Sequence, residues 1–211
     1  MNRIQGYVLA GLLLAGASAS AAGYKLADKV GEGIAECRDE IIDVKKAVDT
    51  AMAALDKIVA QAAADPRKAF KEFDKSVPKI ESAAAKARKR AEEMRENGKE
   101  YFAAWEKGLA EVNDPKIREL AQQRKEKLQA TFDNIKNHLT PAKEQFNSWL
   151  TNCKDLQKYL SQDLTIAGID AAKELFAKTK TEGMALQQTL DKVITELNTV
   201  VATITPSKAE K

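Results

Sequence analysis

The residues able to do chemistry in this chain are few. Two thiols, Cys37 and Cys153, one imidazole, His138, and a basic group, Lys86, Arg88, Lys89 and Arg90, stand out from an otherwise even mixture of charges. A single histidine leaves no second imidazole for a zinc site, and no Glu-x-x-His pair, Cys-x-x-Cys-His sequence or glycine-rich phosphate loop is present. Carboxylates are plentiful but interleaved with Lys and Arg, as in Glu174 and Lys178 at i and i+4, a pattern of solvated helix faces. Nothing converges into an acid–base pair or an activated nucleophile, so the expectation is a protein that is not an enzyme, with no cofactor and no metal. The basic group is followed at once by Glu92, Glu93 and Glu96; a formal charge of only +3 over 211 residues argues against a nucleic-acid partner. Those four cations, with Phe102 taken as exposed beside Tyr101 and Trp105, form the candidate interaction surface.

Apolar periodicity supplies the frame that positions these groups. Val30, Ile34, Cys37, Ile41, Val44 and Val48 recur at alternating spacings of three and four, and the stripe continues to Ala62. Asp65-Pro66 then supplies a cap and a first-turn proline for a second helix. That helix carries Phe70, Phe73, Val77 and Ile80, then Ala84, Ala87 and Ala91 before Met94 and Gly98. Pro78 is expected to kink it or split it, with Ser76 capping the second piece. Asn113-Asp114-Pro115 repeats the cap for a third helix, whose seam passes through Leu128, Phe132, Ile135, Leu139 and Ala142, and on through Phe146 and Trp149 to Leu160. The stripe keeps its phase across Thr140-Pro141, which favours one helix kinked at Pro141 over two joined by a turn. Thr165 can cap a fourth, with a seam from Ile169 to Ile204.

The fold class expected is therefore all-α: an elongated antiparallel bundle of four long helices with coiled-coil-like seams, each about 60 Å long. Centring the turn near residue 114 places Pro141 level with Ala87, so the alanine run would make room for the kink. In that arrangement Cys37 and Cys153 differ in height by about 37 Å, against the roughly 6 Å between Cα atoms that a disulfide tolerates. Two buried, inert thiols are the favoured state and a disulfide is the lesser reading; a turn at Pro141 would reverse that order.

Residues 1–22 read as a secretory signal peptide: Arg3, an apolar centre from Tyr7 to Ala15, and small residues Ala17-Ser18-Ala19 or Ala19-Ser20-Ala21 for cleavage. Residues 23–205 would then be one helical-bundle domain and 206–211 a charged tail. Export places the chain in the periplasm or outside the cell.

Tyr101-Phe102-Ala103-Ala104-Trp105-Glu106-Lys107-Gly108-Leu109, Ile117-Arg118, Leu128-x-x-Thr131-Phe132, Pro141 and Leu156-x-x-Tyr159-Leu160 together resemble an uncharacterised family of exported bacterial coiled-coil proteins, known as a domain of unknown function. The resemblance implies a bacterial, helical protein of the envelope and assigns no site residues. It departs from that family in Ser161-Gln162-Asp163-Leu164-Thr165, where other members have a more polar turn, and in having Ala17 where many carry a lipoprotein cysteine.

The leading functional expectation is a non-enzymatic exported bundle that binds an envelope protein as scaffold, adaptor or holdase. The alternative is an amphipathic helical protein that acts on lipid or a membrane surface, as a lipid carrier or pore former does. Homo-oligomerisation through the long faces is left open.

Overall fold

The computed structural model describes residues 13–204, and side chains from 25 onward. It contains α1 (Leu13–Ala60), α2 (Arg67–Ala110), α3 (Pro115–Gln162), α4 (Ile166–Ala171) and α5 (Lys173–Ile204). At 1.5 Å per residue the 48-residue α1 and α3 each extend about 72 Å. Five helices thus stand where four were expected. The last segment is interrupted at Ala172, although α4 and α5 carry one continuous buried stripe from Ile169 to Ile204. Residues 1–12 of the expected signal peptide and the charged tail 206–211 lie outside the described residues. Backbone helix runs unbroken through the small-residue stretch 17–22.

The caps explain where the chain turns. Pro66, not Asp65, stands at the N-cap of α2 with helical backbone angles, its carbonyl receiving the Phe70 amide, while Asp65 accepts from the Arg67 amide at 3.1 Å. Asp114 accepts from the amides of Lys116 and Ile117. Thr165 accepts from the Gly168 amide. The helices alternate in direction, with α1 packed along α2 and against α5, and α3 packed against α5; of these four sides α2 against α3 is the least extensive.

Neither interior proline breaks its helix. Pro141 lies within α3. Pro78 lies within α2, and Ser76 does not start a new helix there: its buried hydroxyl donates to the Phe73 carbonyl at 2.6 Å. Proline has no amide to give the Asp74 carbonyl, and Gln157 of α3 supplies a donor instead, 3.4 Å from that oxygen and 2.8 Å from the Asp74 carboxylate.

Trp149 sits at the centre of the buried core. Its ring is fully buried with Phe73, Ile58, Leu156 and Leu186 among the largest enclosed side chains. A Cβ at Gly183 would fall 2.9 Å from the Trp149 indole nitrogen and 2.5 Å from the Met52 sulfur, so α5 passes the indole with only a hydrogen to spare. The Trp149 indole N–H is buried without a hydrogen-bond partner, whereas other polar groups at this level pair between α3 and α5. Asn152 donates to Glu182 at 2.6 Å, and Lys178, which turns from Glu174 toward Glu182, lies 3.5 Å from the Asn152 oxygen.

Candidate functional site

The seam between α2 and α3 opens instead of closing. A cleft of about 860 Å³ lies there, within the size range of small-molecule sites. Ala84, Ala87 and Ala91 of α2 line it beside Met94 and Gly98; Phe132, Ile135, Leu139, Ala142 and Phe146 of α3 face them. Ile41 and Val44 of α1 and Leu190 of α5 contribute at its base. The alanine run opens onto the cleft, but it does not make room for Pro141, which lies beyond it.

The register also needs correction. Phe102 against Phe132, Arg88 against Asn147 and Lys154 against Glu81 place Pro141 level with Met94, about two turns beyond Ala87. The loop of residues 111–114 is not the exact centre of the hairpin, because α3 begins with exposed residues: Ile117 and Leu120 are 56% and 66% exposed.

Phe102 is half-buried, not exposed. Its ring meets Phe132 edge-on with centroids 5.4 Å apart, and a Cβ on Gly98 would come within 3.1 Å of that same Phe132 ring. Phe102 therefore forms part of the cleft wall.

The basic group does not act as one patch. Arg88 turns toward α3, donating to Asn147 at 3.0 Å with its guanidinium 5.8 Å from the Phe146 centroid, and so closes one end of the cleft. Arg90 turns the other way to Glu36 of α1 at 3.0 Å and Glu93 at 2.8 Å; the Glu93 hydrogen bond, then Glu36, raise its pKa further. Lys89 lies 3.8 Å from Glu93, and Lys86 points to solvent. Consecutive positions 100° apart on a helix cannot share a face, which is why a run in sequence becomes a spread in space.

Other cations edge the cleft. Arg95 and Lys99 on the α2 lip are held by Glu92 and Glu96. Lys136 and Lys143 on the α3 lip are exposed, and among the described residues neither has a carboxylate within ion-pair distance. With Arg88 the lips carry five cations against Glu92, Glu106 and Asp133. At the far end Lys125, 7% exposed, reaches Glu106 through its ammonium. Its aliphatic stem fills the seam position where the apolar spacing shifts phase near Arg124.

Both cysteines are free and buried. Burial, then Glu40 for Cys37 and Glu182 for Cys153, pushes each thiol up to about 12, so both remain protonated and poorly nucleophilic at neutral pH. Arg38 with Asn198 and His138 with Glu196 put Cys37 level with about residue 135 of α3, roughly 27 Å below Cys153 by the helical rise. His138 is partly exposed with its Nε2 3.9 Å from Glu196. Among the described residues no group of three His, Cys, Asp or Glu side chains could hold a metal ion, and no helix is long and apolar enough to cross a membrane.

A family model described as a protein of unknown function, DUF2959, matches residues 17–204. The chain belongs to that family, in agreement with the resemblance to a domain of unknown function. No curated protein and no solved structure matches it.

Proposed function

We propose that this member of the DUF2959 family is a non-enzymatic binding protein, exported to the periplasm or beyond the cell, that shelters an extended apolar ligand in the α2–α3 cleft. One observation carries the reading: 14 carbon-rich positions from four helices surround an open volume of about 860 Å³. An apolar trough left open to water is costly unless something fills it, and apolar contact there would be favoured at about 25 cal/mol per Å² removed from water. This ranks lipid or amphiphile binding above the protein scaffold favoured by the helical pattern. Mass analysis of apolar molecules that co-purify with the chain tests it. Retention by the native chain and loss on Ala91→Trp is the expected result; identical extracts from both would sink the idea.

A protein partner is the second reading, favoured by Ile117 and Leu120, exposed three residues apart at the start of α3. Cross-linking from the envelope fraction should then fail in an Ile117→Glu, Leu120→Glu variant and persist when the cleft is filled.

A further inference from the structure

We infer that the cleft takes the hydrocarbon chain of a fatty-acid-like anionic amphiphile, with its head group held at the α3 lip by Lys136 and Lys143. The inference rests on the cleft being a binding site and adds the class of ligand. From Ala84 to Glu106 the cleft follows α2 for about 33 Å, long and narrow enough for an extended hydrocarbon chain to lie along it.

Charge sets the head group. Lys136 and Lys143 lie seven residues apart, on one side of α3 and about 10 Å apart by the helical rise. Across the mouth are Arg95 and Lys99, already held by Glu92 and Glu96, while among the described residues neither α3 lysine forms an ion pair, although Asp133 lies one turn from Lys136. Long, flexible stems let both ammonium groups fold over the mouth while their methylenes extend the apolar wall. A carboxylate or phosphate monoester on a single chain meets that pair; a neutral head leaves it unused.

The test uses the full chain with oleate, oleyl alcohol and phosphatidylglycerol vesicles as probes, and the variants Ala91→Trp and Lys136→Glu/Lys143→Glu, each checked for helicity and melting temperature. Expected are one oleate per chain, binding at least about tenfold tighter than oleyl alcohol, and a loss of about tenfold for oleate alone in the double charge reversal. Ala91→Trp should abolish both, and vesicles should not be retained. Equal affinity for oleate and the alcohol overturns the head-group assignment while leaving the cleft as a binding site. Failure of both probes overturns the site itself, and vesicle capture without soluble oleate binding replaces it with a membrane surface.

Discussion

The two halves of this bundle use small residues for opposite ends. Around Trp149, Gly183 lets α5 approach an indole until no methyl group could be inserted. Along α2, Ala84, Ala87 and Ala91 give up volume that α3 does not come forward to fill. Both stretches look like seams with small side chains, and the difference lies in the opposing helix. A bulky ring faces the glycine, whereas the alanines face α3 across a gap whose ends are propped by Arg88 on Asn147 and by Phe102 on Phe132. A small residue thus reports that something large stands opposite, or that nothing does.

That contrast can be broken most forcefully at the packed half. Trp149→Ala should lower stability by about 3–5 kcal/mol in urea unfolding, since the surrounding side chains are already enclosed and can collapse only in part. Gly183→Ala, with one methyl group directed at Met52 and Trp149, should cost about 1–3 kcal/mol by overpacking; a neutral result would mean that the two halves are equally slack. Ala91→Leu in the cleft should have the opposite sign, adding up to about 1 kcal/mol by filling space that is empty. A loss there of the size seen at Gly183 would erase the contrast.

The smallest effect concerns the thiols, one in each half. Under native conditions Cys37, level with the cleft, should be alkylated several-fold faster than Cys153, and a non-reducing gel should show no internal disulfide. Each thiol is raised from 9.0 to about 12 in the folded chain, so its contribution to stability is complete below pH 9 and is lost as the pH rises toward 12.

Periodicity made the fold legible. The stripes from Val30 to Ile58 and from Ile169 to Ile204 are buried as their spacing requires, and the caps at Asp114 and Thr165 sit where their residue types place them. Those signals are local. The interruption at Ala172 carries no proline or apolar slip to announce it. The cleft was not legible: the alanine run reads as room for a kink and Phe102 as an exposed ring, because a sequence names the residues that face a neighbour and not the distance at which the neighbour stands. Lys125 was missed because a lysine whose stem is buried reads like any solvated one. The register error has a similar source, since the exposed first turns of α3 shift the hairpin without altering its pattern.

Pro78 has a consequence beyond the bend expected of it. By withholding an amide from the Asp74 carbonyl it leaves a surface acceptor free, and Gln157 of the neighbouring helix supplies a donor to it. Sliding α3 along α2 by a single turn would move the glutamine away and lose that hydrogen bond. Apolar seams built from repeating three- and four-residue steps tolerate such slips with little penalty, because each register resembles the next. A missing hydrogen in one helix and an amide in another therefore favour one alignment over its neighbours, the alignment in which the gap between the same two helices opens where it does.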